Sequence, residues 1–371
     1  MAIGNPPWVT SSAQARVGAA NLPAKVNRFG LRGLDAMTGK ANFDIAEAIL
    51  LSVLAALSDA VEVRLAFLVK RSVAMKMARD LLGNPGVLAA SFTRIDARRW
   101  FSVSVEAGLL QLSFKREASH GIDRVLVADD LGGPFTRAAG LVDGVFVDDV
   151  DGYSAVRSVE ATNGERLVWR QGIKHDLARV LELRQTSEGL VNGFGESVDV
   201  EADVLCPYYK SSDVAAGRPP RLRFPLYQYD LSGPATDLGT RWPKLAAYLA
   251  TQAPRFGARG SRIYKDKPEY MLFGVGPYTL APFKVVISGF YKQPRFALLE
   301  PDRTGRPPLV DDTCYMLPFT DGGQAREVAS YLNSERVLKF LETVTDLTAK
   351  RPYTKDILGR IAPPNTVAAA E

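Results

Sequence analysis

Gly4-Asn5-Pro6-Pro7-Trp8-Val9 is the stretch on which the reading of this chain turns. Pro6 and Pro7 each hold φ at about −65° and together remove two backbone donors. Asn5 and Pro6 each precede a proline, which pushes both toward extended geometry. The carbonyls of Asn5 and Pro6 and the Asn5 amide are then the main polar groups, beside the flat apolar face of Trp8. Two acceptors next to an aromatic plate suit a planar ring that carries an amino group, such as adenine or cytosine. The same letters also make an ordinary turn, so the corner has to be weighed with what surrounds it.

Residues 10 to 42 are rich in Ser, Ala, Gly and Asn, and read as a long loop of the kind that covers a substrate. A helix is expected over Ile45 to Leu57, with Asn42 or Asp44 as its cap. Val63 to Val69 is an apolar run that suits a buried strand. Lys70-Arg71-Ser72 follow it, then a helix from Val73 to Leu82 ended by Gly83-Asn84-Pro85-Gly86. Val87 to Asp96 reads as a strand, Phe101 to Phe114 as a strand pair, and Arg124 to Val127 and Gly144 to Val147 as short strands around Gly132-Gly133-Pro134. Helix alternating with apolar strand up to about residue 115 predicts an α/β sheet. From Tyr153 the elements shorten and prolines and aromatics become frequent, which sets a domain boundary near 150. Helices are expected near Asp176–Arg184, Trp242–Gln252, Gln324–Leu332 and Ser334–Thr345, and a strand pair at Tyr270–Phe273 with Phe283–Ile287. Residues 362–371 read as a disordered tail.

Composition bounds the function. The 371 residues suffice for two domains. Hydrophobic residues are 46% and charged residues 23%, as in an ordinary globular protein. The most apolar run, Ile45 to Leu57, contains Glu47 and is too short to span a bilayer. No signal-peptide pattern opens the sequence, and Cys206 and Cys314 stand far apart in no metal-binding spacing, which fits a reducing compartment, so a cytoplasmic chain is the expectation. Two histidines are too few for a histidine-based metal site. The net charge of +5 is mild, but Arg241 to Arg306 holds twelve Lys and Arg against four Asp and Glu. A basic, aromatic-rich segment in a near-neutral chain is the footprint of a polyanion partner, or else a solvated basic face.

Gly4-Asn5-Pro6-Pro7-Trp8 resembles the catalytic motif of the adenine-N6 DNA methyltransferases of restriction-modification type, an (Asn/Asp)-Pro-Pro-aromatic step at the end of a sheet strand. Arg99-Trp100-Phe101-Ser102-Val103 resembles the later motif of that family, in which an aromatic closes the other side of the base pocket. Asn42-Phe43-Asp44 resembles the segment that opens the next helix near the cofactor. Trp169-Arg170-Gln171-Gly172 through Asp176, Tyr209 to Asp213, Phe273-Gly274-Val275-Gly276-Pro277-Tyr278, Phe283 to Gly289 and Ala349-Lys350-Arg351-Pro352 resemble blocks of its recognition domain. The resemblance implies a partial Rossmann-like methyltransferase sheet over 1–150 and a mixed α/β target-recognition domain over 151–361. It implies S-adenosylmethionine as cofactor, no metal, double-stranded DNA as partner and no membrane.

By that resemblance Asn5, Pro6, Pro7 and Trp8 are the catalytic residues. Trp100 and Phe101 wall the base pocket, Asn42 and Asp44 approach the cofactor, and Lys210, Arg262, Lys284, Lys292 and Lys350 are candidates for DNA phosphates. Each has a plainer alternative. Trp100 and Phe101 also suit core aromatics, and Asp44 an ordinary helix cap. The His175–Asp176 pair invites a catalytic reading, but with no nucleophile in motif context a structural or DNA-contacting role is expected.

The sequence departs from the family in one respect. A glycine-rich cofactor loop normally lies well upstream of the Asn-Pro-Pro corner, and here the corner begins at residue 5. Phe273-Gly274-Val275-Gly276 has the letters but sits among recognition-domain blocks, and Gly193-Phe194-Gly195 has no strand ahead of it. The expectation is a methyltransferase in truncated or split form, its cofactor half either missing or supplied by a separate polypeptide. The alternative is a DNA-binding specificity module without catalysis. A partial sheet of this kind would leave an apolar edge open.

Overall fold

The computed structural model describes residues 1–8, 44–57, 60–83, 85–115, 120–161, 166–347 and 349–364. The chain divides into two compact units, Met1–Ala155 with Glu342–Ala349, and Val156–Leu341 with Lys350–Glu371. Among the described residues no helix is long and apolar enough to cross a membrane.

The first unit is a seven-stranded mixed sheet. Its strands are β1 (Ala2–Gly4), β2 (Glu62–Lys70), β3 (Val87–Ile95), β4 (Ala107–Lys115), β5 (Arg124–Ala128), β6 (Phe135–Val142) and β7 (Val145–Val147), in the spatial order β1-β2-β4-β3-β5-β6-β7. β1 runs parallel to β2 and β3 parallel to β5, and the other neighbours are antiparallel. In β2 the period-two pattern buries Val63, Leu65, Phe67 and Val69 on one face. Helices α1 (Ile45–Ala56) and α2 (Arg71–Leu81) complete this core, with Leu50, Val73, Met77 and Ala78 buried. Asp44 caps α1 by accepting from the Ala46 amide at 3.1 Å. Phe67 is 4% exposed, so its loss to alanine costs about 3–5 kcal/mol.

Two local departures from expectation have physical causes. Phe101 does not enter a strand: it ends a short helix, α3 (Ala97–Phe101), because the Asp96 carboxylate accepts from the Arg99 amide at 2.9 Å. Ser102, at φ 56°, then stops the helix. The strand β6 shows no apolar alternation in Thr136-Arg137-Ala138-Ala139-Gly140. It forms because Gly140 lets the backbones close: a Cβ there would sit 2.4 Å from the Asp123 carbonyl oxygen. After β7 the chain enters a two-turn helix, α4 (Val150–Val156).

The second unit is built from smaller sheets. β8 (Arg170–Gln171), β13 (Phe283–Ser288), β14 (Ala297–Leu299) and β16 (Cys314–Phe319) form one, in the order β14-β13-β16-β8. β11 (Leu205–Tyr209), β12 (Leu222–Pro225) and β15 (Leu309–Val310) form another, and β9 (Arg184–Thr186) pairs with β10 (Gly189–Val191). Among its helices are α5 (Ala178–Leu181), α6 (Ser211–Ala216), α7 (Leu238–Arg241), α8 (Pro243–Gly257) and α9 (Gly322–Leu332). Tyr208, Phe224, Tyr227, Trp242, Leu245 and Leu249 fill its main core. The expected pairing of Tyr270–Phe273 with Phe283–Ile287 does not occur. β13 pairs with β14 and β16, and Phe273 makes only an isolated bridge to Lys174. Gly274, at φ 71°, turns the chain away before a strand can extend.

Candidate functional site

The corner Asn5–Trp8 leaves the carboxyl end of β1. Gly4 stands opposite Phe67 in the parallel register, and a Cβ at Gly4 would lie 2.6 Å from the buried Phe67 ring. The glycine before the corner is therefore what lets β1 lie against β2. Lys70 and Ile95 both register with Ala107, so the ends of β2 and β3 and the start of β4 share that border of the sheet. Ligands of open α/β sheets bind outside the carboxyl ends of strands.

Within the corner, Pro6 is buried, Trp8 is half-buried, and Asn5 and Pro7 are exposed. The Trp8 indole N–H donates to the Leu68 carbonyl at 3.1 Å, which fixes the plane of the ring from 60 residues away. The Phe101 ring meets it with centroids 5.3 Å apart and planes at 65°. Two aromatic planes at a steep angle make a wall and a floor, an arrangement of aromatic pairs worth about 0.5–1.5 kcal/mol beyond their burial. Among the described residues none hydrogen-bonds the Asn5 amide. Trp100 is 62% exposed and Phe101 43%. Val103 and Val105 beyond them are exposed as well, so apolar groups gather on this loop without a cover among the described residues.

Asp44 and Lys70 form an ion pair at 2.7 Å, and both side chains are largely buried. Asp44 thus holds its own helix and the end of β2, and its carboxylate is already engaged. Asn42 lies outside the described residues. Arg71, next to Lys70, was not singled out by the sequence. Its guanidinium is almost fully buried and meets Asp148 at 2.9 Å and Asp346 at 2.6 Å. Burial works against the Arg71 charge, but the two carboxylates outweigh it and hold the group more firmly protonated than usual. No local signal marks this cluster, because Arg71 and Asp346 are 275 residues apart.

The predicted phosphate contacts of the second unit separate into two kinds. Lys284 is fully buried, and its ammonium donates to the carbonyls of Thr279 at 3.1 Å and Ala281 at 2.5 Å. Burial pushes its pKa down to about 7. That corrects the expectation: an interior ammonium cannot meet a DNA phosphate. Lys210 is shared by Glu182 at 2.7 Å and Asp311 at 3.2 Å, so its charge is paired internally as well. Burial would raise the Glu182 carboxyl, but hydrogen bonds from His175 and Lys210 hold it below the usual range. His175 is buried beside Tyr208, with its Nδ1 accepting from the Leu177 amide at 3.1 Å. Arg262, Lys292 and Lys350 are exposed.

The Phe273–Gly276 stretch is packed and not open to a cofactor. A Cβ on Gly274 would lie 2.2 Å from the Gly172 carbonyl oxygen, and Leu272 and Val275 are core residues. Those glycines serve packing in the second unit. Phe194 is covered by the guanidinium groups of Arg179 and Arg255, at 3.9 and 3.8 Å from its centroid. Among the described residues no group of His, Cys, Asp and Glu is arranged to hold a metal ion.

The sequence is 34% identical over 362 residues to the type II methyltransferase M.NspV of Nostoc sp., a match that covers 97% of this chain and 74% of that protein. The chain belongs to the type II methyltransferase family. No protein-family model matches it. Among solved structures, the type IIL restriction-modification enzyme MmeI in complex with DNA aligns over 98% of this chain at a TM-score of 0.57 and 12% identity. The chain spans about half, 47%, of that enzyme's length. The type ISP restriction-modification enzyme LlaBIII bound to DNA aligns at a TM-score of 0.42 and 11% identity, over 98% of this chain and 28% of that one. The mixed α/β architecture is thus similar to that of a restriction-modification enzyme, and the family relation supports a methyl-transferring activity.

Proposed function

We propose that this chain holds the target base and reads the DNA in a site-specific adenine-N6 methyltransferase. The observation that carries the reading is the corner itself. An exposed Asn5 amide, without a partner among the described residues, stands three residues before an indole that is anchored through Leu68 and walled by Phe101.

Adenine N6 is out of reach inside a duplex, so the base must be everted at a cost of a few kcal/mol. Stacking against Trp8 returns about 1–3 kcal/mol of that. The Asn5 side-chain oxygen and the Pro6 carbonyl accept hydrogen bonds from the amino group and aim its lone pair. The donor that the family implies, S-adenosylmethionine, supplies an electrophilic methyl group. What this chain contributes is alignment, which is worth several kcal/mol when reacting atoms are held at contact distance. Of the groups that the sequence offers for the donor's cradle, Asp44 is engaged with Lys70 and Gly274 is packed against Gly172.

The strand order supports the same reading. A parallel β1–β2 pair followed by β4 inserted antiparallel between β2 and β3 suits the second half of a class I methyltransferase sheet. We assign the first unit to that half, and residues 156–341 with 350–361 to target recognition. A methyl-transfer assay on duplex DNA tests the proposal, run with the chain alone and with a supplied cofactor half. N6-methyladenine in either case is expected, and its absence in both overturns the reading.

A second reading, a DNA-binding module without catalysis, rests on the exposed cations Arg262, Lys265 and Lys267 of the second unit. S-adenosylmethionine separates the two. A ligand at 100 times its Kd raises stability by about 2.7 kcal/mol. A melting temperature unmoved by S-adenosylmethionine, with or without the cofactor half, favours the module.

A further inference from the structure

The turn after α8 carries charge that the fold leaves unpaired. Lys210 and Lys284 are each held by internal acceptors. Arg262, Lys265 and Lys267 are exposed, and among the described residues none of the three is paired with a carboxylate. They stand around a concavity of 330 Å³ whose lining includes one carboxylate, Glu269. Like charges this close repel one another unless an anion sits between them.

The floor of the concavity is rigid. The Arg259 guanidinium donates to the carbonyls of Phe256 at 3.1 Å, Met271 at 2.7 Å and Glu269 at 2.7 Å, and lies 3.7 Å over the Tyr264 ring. The rim is open. Gly257 and Gly260 have no positive φ, and a Cβ on either would meet nothing within 4 Å. The fold does not require glycine at these two positions, and their bare backbone admits close approach from outside. The aromatic side chains here, Phe256 and Tyr264, are 2% and 8% exposed, so no ring is presented for a base to stack on. Exposed charge and bare backbone without a stacking face suit a phosphate, not a nucleobase.

We infer that the turn Gly257–Glu269 is a clamp for backbone phosphates of duplex DNA. The inference rests on the reading of the chain as a DNA methyltransferase and adds where the duplex is gripped. Such a clamp positions the duplex without reading its sequence.

The test measures binding of a labelled duplex to the full chain by fluorescence anisotropy across a salt series. The triple variant R262A/K265A/K267A is expected to bind at least tenfold more weakly at moderate salt. Its plot of log affinity against log salt should be flatter by about 2–3, at roughly 0.9 for each phosphate that is no longer neutralised. The weakening should be equal on unrelated sequences. A second variant, Gly260→Glu, keeps every cation but adds a carboxylate at the rim, and a similar weakening is expected. Both should melt as the wild type does, since they alter exposed positions outside the core. Wild-type binding with an unchanged salt slope in the triple variant overturns the clamp and leaves the methyltransferase reading standing. Normal binding by Gly260→Glu, or a weakening confined to one sequence, overturns it equally. A wild-type chain that does not bind duplex DNA at all overturns both.

Discussion

The corner at Asn5–Trp8 and the polar hub around Lys210 treat their polar groups in opposite ways. In the hub, Lys210, Glu182, His175 and Asp311 satisfy one another, and Tyr208 joins them through His175. Their charges are spent on each other and not on a ligand. In the corner the apolar and backbone groups are fixed, with Trp8 tied to Leu68 and Pro6 buried, while the Asn5 amide is exposed. The contrast separates polar residues that a domain pairs internally from a polar residue left open, where we propose that the target base is held. Charge alone does not make that distinction, since Lys210 and Arg262 look alike in the sequence.

The largest effect that would sharpen this contrast is on stability. Glu182→Ala leaves Lys210 and His175 without their shared carboxylate, and is expected to cost roughly 3–5 kcal/mol in chemical denaturation of the second unit. A change below about 1 kcal/mol, the scale of an exposed ion pair, would show that the hub is not holding the unit together. Asn5→Ala should do the reverse. It is expected to lower methyl transfer by about 10²–10³-fold, as when one aligned polar partner of a reacting group is removed. The melting temperature should stay where it was, because the side chain is exposed. Loss of fold together with activity would erase the distinction.

A smaller effect concerns pH. The Lys284 ammonium titrates at about 7 in the folded chain, against about 10.4 for a free lysine. Between these values the unfolded chain holds a proton that the folded one lacks. Stability should therefore rise with pH from about 7 to 10, by at most about 1.4 kcal/mol per pH unit. The carbonyls of Thr279 and Ala281 favour the charged form and reduce that slope. Lys284→Met should remove the slope, which denaturation curves at about pH 7, 8.5 and 10 would measure. The smallest effect belongs to Trp8→Phe. It loses the bond to Leu68, about 1 kcal/mol, and keeps an aromatic face. Methyl transfer should fall less than in Asn5→Ala, and an equal fall would mean that the indole N–H matters beyond positioning.

Several elements were legible because their signals are local. The helix expected over Ile45–Leu57 forms over Ile45–Ala56, and the strand expected over Val63–Val69 forms over Glu62–Lys70. Apolar periodicity and a capping aspartate are read within one element. β6 carries no such local signal, because its pairing depends on close approach at Gly140, a property of two strands and not of one. No strand forms at Tyr270–Phe273, because aromatic residues suit core packing as well as pairing.

By itself the sequence determined the chemistry on offer: a stiff Asn-Pro-Pro-Trp corner, a basic stretch after residue 241, and the alternation of helix and strand that predicts an α/β sheet. Proline geometry and side-chain chemistry are properties of the residues and hold in any fold. Only the tertiary structure decided which groups face each other. It put Phe101 against Trp8, closed Arg71 between Asp148 and Asp346, and buried Lys284 while leaving Arg262, Lys265 and Lys267 bare. Burial and charge pairing depend on neighbours far along the chain, so a cation's partner appears only once the chain has folded around it.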